Sequence, residues 1–204
     1  EHAVFADALL VVVPYYLRPS DEGVLDHFRA VAGVVDVPVL AYNVPYRTGK
    51  APAPRALVEL LAIENVIGMK HCGGAIDEDT LALMAAAGPA VLCGDDAYLF
   101  PMLQLGAGGG ITASANLAPA AYAELAATVR AGDVATGRAL HRALLPMVQA
   151  LFAEPAPSVL KAALAEQGLI DHPGVRPPLQ PPAREHVDKA LTAAACLPSL
   201  ASIR

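Results

Sequence analysis

The chain has 204 residues, of which 55% are hydrophobic and 17% charged, and its formal net charge is −6. That apolar content excludes a disordered chain, no apolar run reaches the ~18 residues of a membrane-spanning helix, and the acidic balance argues against nucleic acid as a partner. Glu1-His2-Ala3-Val4 lack the basic segment of a signal peptide, and Cys72, Cys93 and Cys196 match neither zinc spacing nor a disulfide framework, so a cytoplasmic protein is expected.

Residues 1–7 read as the end of a helix running into a strand. Apolar runs of strand length follow at residues 8–13, 37–42, 66–69, 90–93 and 110–114. None alternates with polar residues, which is the pattern of a parallel sheet covered on both faces. Helical patterns separate them. Ser20 is a candidate N-cap before Val24, Leu25, Phe28 and Val31 at helical spacing, and Pro54 opens a helix through Leu57, Val58, Leu60 and Leu61. Asp77 begins a helix that runs to Gly88, and residues 97–105 form a short helix interrupted by Pro101. Residues 118–168 are alanine-rich and helical, with a kink expected at Pro146. "PGVRPPLQPP", residues 173–182, reads as extended, and a last helix covers about residues 183–196. Strand and helix in strict alternation mean an α/β fold. Five βα units are too few for a closed eight-stranded barrel, which typically needs about 250 residues, but could make an open sheet.

Parallel sheets keep their chemistry at the C-terminal ends of the strands. Those ends carry Tyr15-Tyr16, then Tyr42 followed by Arg47-Thr48-Gly49, then Lys70-His71, then Gly94-Asp95-Asp96, then Thr112 and Ser114. The stretch "VIGMKHCGG" thus delivers Lys70 at the end of an apolar strand. Burial disfavours the charged form of an amine, and a neutral amine can attack a ketone to form a Schiff base. A tyrosine can move protons at that step, and an arginine can hold a carboxylate bidentately, so the substrate implied is a small keto acid. Other readings stand beside this one. Lys70 could be a surface lysine, Tyr15 and Tyr42 packing aromatics, and Arg47 a loop arginine. Asp95-Asp96 could suggest the magnesium site of a metal-dependent aldolase. The glycine run 106–110 lacks the Lys-Ser/Thr of a phosphate loop and reads as a tight turn before its strand. His71 and Cys72, being adjacent, point to opposite faces, which disfavours shared metal ligation. Lys161 reads as a helical lysine that snorkels between Leu160 and Leu164.

"VVVPYYLRPSDEG", "AYNVPYRTG", "VIGMKHCGG", "LCGDDAYLFPMLQLGAGGGI" and "EPAPSVLKAALAEQGL" resemble, in order and spacing, consecutive landmarks of the dihydrodipicolinate synthase / N-acetylneuraminate lyase family. The resemblance implies a (β/α)8 barrel with a C-terminal helical extension. It implies a class I aldolase acting on pyruvate and a small aldehyde, without cofactor or metal, in a homo-oligomer (tetramer or dimer). Lys70 would be the Schiff-base lysine. Tyr42 would relay protons and contact the bound pyruvate, and Tyr16 would reach into a neighbouring subunit's site. Arg47 would bind the carboxylate of the second substrate, and the backbone at Gly94 and Ile111 would line the pyruvate pocket. The Tyr46-Arg47-Thr48-Gly49 turn points to the synthase branch, which condenses pyruvate with aspartate semialdehyde. The rivals are cleavage of a keto-deoxy sugar acid or hydroxy-oxo acid, and a non-catalytic keto-acid-binding relative.

The chain also departs from the family pattern. Leu17 replaces a usually polar residue, His71 stands where many synthases have an acid, and Ala156 replaces an asparagine. The chain starts near the family's fourth strand, and the hydroxyl-bearing segment that clamps the pyruvate carboxylate has no counterpart. Residues 1–132 would be a partial βα barrel lacking the first three βα units, and residues 133–204 the helical extension. Alone, these residues are expected not to make a competent enzyme.

Overall fold

The computed structural model describes residues 6–198. The helix end read over residues 1–7 falls mostly on residues 1–5, outside the described residues, and residues 6–8 carry no helix. The chain divides into two compact units, Glu1–Ile111 and Thr112–Arg204.

The first unit holds a parallel sheet of β1 (Leu9–Val12), β2 (Val39–Asn43), β3 (Val66–His71), β4 (Val91–Cys93) and β5 (Gly109–Gly110), paired in that order. Between the strands lie α1 (Asp21–Ala32), α2 (Pro45–Thr48), α3 (Pro54–Leu61), α4 (Glu78–Ala87) and α5 (Leu99–Gln104). Local chemistry sets the helix starts. Ser20 accepts from the Gly23 amide at 3.2 Å, and Asp77 accepts from the Thr80 amide at 2.9 Å. Each bond satisfies a donor that the first turn would otherwise leave orphaned. The buried stripe of α1 is Val24, Leu25, Phe28 and Ala32, and full burial of a side chain such as Phe28 is worth about 1.5–3 kcal/mol. Pro101 does not interrupt its helix. It occupies the first turn of α5, where no intrahelical donor is lost.

The fifth strand differs from the reading of residues 110–114. The last two residues of the glycine run are themselves the strand, and a 3-10 turn begins at Ser114. A side chain has no room just before it: a Cβ on Gly108 would lie 2.3 Å from the Pro89 carbonyl oxygen. The Ile111 amide extends the ladder by donating to the Cys93 carbonyl at 2.8 Å.

One irregularity sets the register of the site. Val39 pairs with Val66, but Leu40 pairs with Gly68, so Ile67 is an extra residue in β3. It is 60% exposed. A ladder continued without this bulge would bring Met69 level with Tyr42. With it, Lys70 is level with Tyr42 and His71 with Asn43.

The second unit is helical, with α6 (Pro119–Arg130), α7 (Val134–Leu151), α8 (Ser158–Glu166) and α9 (Arg184–Ala195). Asp133 caps α7 by accepting from the Thr136 amide, and α7 continues through Pro146. Lys161 does not reach past its apolar neighbours to water alone. Its ammonium donates to the Gly174 carbonyl, tying α8 to the proline-rich segment. Among the described residues no helix is long and apolar enough to cross a membrane.

Candidate active site

Lys70 and Tyr42 lie near the C-terminal ends of β3 and β2, as direct partners across the ladder. In parallel strands such partners share a face. The Lys70 Nζ stands 4.6 Å from the centroid of the Tyr42 ring, and both side chains are half-buried. Burial pushes the Tyr42 phenol up from its ordinary range, helped by the neighbouring Cys72, so the hydroxyl keeps its proton at neutral pH.

Cys72, two residues beyond Lys70, comes to the same face. Its thiol lies 4.0 Å from the Tyr42 hydroxyl, and burial pushes it up to about 11, which keeps it a thiol. Reading the strand ends one residue at a time missed Cys72. The signal was present: a residue two along a strand from Lys70 shares its face. Gly94 makes the space for both. A Cβ there would stand 2.2 Å from the Cys72 Sγ and 2.6 Å from the Lys70 Cε. Gly94 thus reaches this floor by backbone alone, its amide donating to the His71 carbonyl, while the Ile111 amide donates to the Cys93 carbonyl on the neighbouring strand.

Arg47 sits in α2, the short turn after β2 that ends at Gly49 in a left-handed conformation (φ 71). Its guanidinium lies 5.8 Å from the centroid of the Tyr46 ring. The turn is held by Thr48, which donates to the Val44 carbonyl and accepts from the Lys50 amide. Tyr16 lies in the loop after β1, before Ser20. It is 88% exposed with φ 69, and its amide donates to the Thr48 carbonyl. Its side chain therefore projects into solvent.

Asp95 accepts from the Gly74 amide at 2.8 Å, anchoring the loop after β3. Burial raises its carboxyl from the ordinary range, while the bond from Gly74 pulls the other way. Asp96 is buried at the start of the next turn. Among the described residues no three histidine, cysteine or carboxylate side chains converge to hold a metal ion.

On the opposite face, His71 and Asn43 are both buried, and the Asn43 amide donates to the His71 Nδ1 at 3.2 Å.

Residues 2–195 match the dihydrodipicolinate synthetase family. The chain belongs to that family. It is 40% identical over 179 residues to a 4-hydroxy-tetrahydrodipicolinate synthase of Syntrophus aciditrophicus, an alignment covering 87% of this chain and 61% of that one. It is 42% identical over 167 residues to the synthase of Leptothrix cholodnii, covering 81% and 57%. Among solved structures, the dihydrodipicolinate synthase of Thermotoga maritima superposes with a TM-score of 0.88 at 32% identity, over 94% of this chain and 66% of that one. The chloride-inhibited enzyme of Acinetobacter baumannii, complexed with pyruvate, superposes with a TM-score of 0.87 at 37% identity, over 94% and 67%. The chain spans about three fifths of the length of the curated family members it matches.

Proposed function

We propose that this protein is a Schiff-base-forming aldolase that condenses pyruvate with aspartate semialdehyde, the reaction of 4-hydroxy-tetrahydrodipicolinate synthase. The observation that carries the proposal is the pairing of Lys70 and Tyr42 on one rung and one face, with Nζ 4.6 Å from the ring centroid. In this reading the unprotonated amine of Lys70 attacks the ketone carbon of pyruvate. The ketone oxygen leaves as water and an iminium remains. A methyl proton then departs to give an enamine, whose carbon attacks the aldehyde. Tyr42, protonated and within reach, moves protons at these steps, with Tyr16 of a neighbouring copy completing the relay. Arg47 holds the carboxylate of the aldehyde substrate bidentately. The backbone at Gly94 and Ile111 forms the wall beside the keto acid.

Residues 1–132 are proposed to be five of the eight βα units of a TIM barrel, and residues 133–204 its helical extension. The superposition on family structures supports this. The working state is proposed to be a cytoplasmic homo-oligomer, tetramer or dimer, which the exposure of Tyr15, Tyr16 and Leu17 supports. A substrate panel on the intact protein tests the function. Pyruvate with aspartate semialdehyde should be consumed, and Lys70→Ala should abolish turnover. Cleavage of a keto-deoxy sugar acid, with aspartate semialdehyde left untouched, would overturn the synthase reading and retain the aldolase one.

A further inference from the structure

Directly beyond the Tyr42–Lys70 rung, and on the other face of the sheet, lies a second rung made by Asn43 and His71. Both are almost wholly buried, at 2% and 7% exposure. The hydrogen bonds there run in one consistent direction. Thr80 of α4 donates its hydroxyl to the Ala75 carbonyl, so toward His71, 3.4 Å away, it can only accept. The His71 proton is therefore on Nε2, and Nδ1 accepts from the Asn43 amide. The Asn43 Oδ1 has no partner among the described residues. Gly73 leaves the room the ring needs: a Cβ there would stand 2.8 Å from the His71 Nε2. The backbone closes the frame, since the Cys72 amide donates to the Asn43 carbonyl and the Gly94 amide to the His71 carbonyl, each at 2.8 Å.

We propose that neutral His71, with its proton on Nε2, is a positioning residue for the Lys70–Tyr42 pair, acting through the Asn43 amide. This rests on the function proposed above. The bond across the Asn43–His71 rung fixes the stagger of β2 and β3 one residue from the reacting amine, and the bond to Thr80 fixes the ring against α4. Protonation would break the arrangement, because Nδ1–H would then face the Asn43 N–H. The groups around the ring are Asp77 at the start of α4, Asp95 after β4, Cys93 as the partner on β4, and Lys70 next along β3. The two carboxylates favour the charged ring and burial opposes it more strongly, so His71 titrates below its ordinary range.

The test uses two substitutions that divide the ring's bonds. In His71→Asn, the amide oxygen takes the place of Nδ1 and keeps the link to Asn43. In His71→Gln, the amide nitrogen takes the place of Nε2 and keeps only the link to Thr80. The readouts are the rate at which pyruvate and borohydride label Lys70 in the intact protein across pH, and the imidazole nitrogen shifts of His71. We expect His71→Asn to label at nearly the wild-type rate and His71→Gln roughly ten- to a hundredfold more slowly, since small misplacements near the reacting atoms have effects of that size. Relative to His71→Asn, the wild-type rate should fall further as pH drops below the usual imidazole range. Equal rates in wild type and His71→Gln, a ratio of wild type to His71→Asn that does not change with pH, or a neutral ring protonated on Nδ1 would each overturn the positioning role alone. A wild type that never labels would overturn the aldolase reading and this role with it.

Discussion

The two faces of the sheet differ most where β2 and β3 end. On one face Lys70, Tyr42 and Cys72 come close with few fixed bonds: a ring contact at 4.6 Å and a thiol-to-hydroxyl approach at 4.0 Å. On the other, Asn43, His71, Thr80 and Ala75 form a continuous chain of hydrogen bonds. The same two backbones carry both. On the proposed function this is a division of labour: the closed face would hold the strands still, so that groups on the open face could change partners during a reaction without losing register. Sites work when a rigid shell supports the reacting one, and here the shell is the back of the same rungs.

The largest expected effect comes from the open face. Tyr42→Phe keeps the ring and removes the proton-carrying hydroxyl. It should lower kcat by about 10²–10⁴-fold, the usual range for a general acid or base, with little change in melting temperature. Next is Arg47→Ala, read as a kinetic split. The KM for aspartate semialdehyde should rise about ten- to a hundredfold while that for pyruvate stays near its starting value, because one charge-assisted bond is lost. Gly94→Ala presses on the open face from behind. Its methyl would meet Cys72 and Lys70, so a loss of about 1–3 kcal/mol by denaturant unfolding is expected from overpacking, together with slower labelling of Lys70.

The smallest effect belongs to the closed face and depends on pH. Burial holds His71 below its unfolded value, so the unfolded chain binds the extra proton first as pH falls. Unfolding is then favoured by acid: stability should be level above the ordinary imidazole range and decline as pH drops through and below it. His71→Asn should flatten that part of the curve in a comparison of unfolding free energies.

Much of the fold was legible. Apolar runs without alternation gave four of the strands to within a residue or two, and Ser20, Pro54 and Asp77 marked their helix starts through ordinary capping chemistry. The fifth strand was misplaced because glycine carries no apolar signal. Its place there follows from the close approach of the Pro89 carbonyl, a tertiary fact. Lys70, Tyr42, Arg47 and Gly94 were legible as residues at or just after strand ends, and Ile111 only through the family resemblance. What the sequence did not show was which of them share a face. The extra residue at Ile67 shifts β3 by one rung, and a period of two counted along one strand cannot reveal a bulge that exists only relative to its neighbour. The Asn43–His71 bond was hidden for the same reason, being a property of two strands in register.

The central claim is that Lys70 is the amine that reacts. Its most direct test is to incubate the intact protein with pyruvate, reduce with borohydride and map the modified lysine by mass spectrometry. One adduct, on Lys70, formed equally well in the presence of EDTA, is the result this account predicts. No adduct, or one carried by Lys161 or another lysine with Lys70 unmodified, would contradict it.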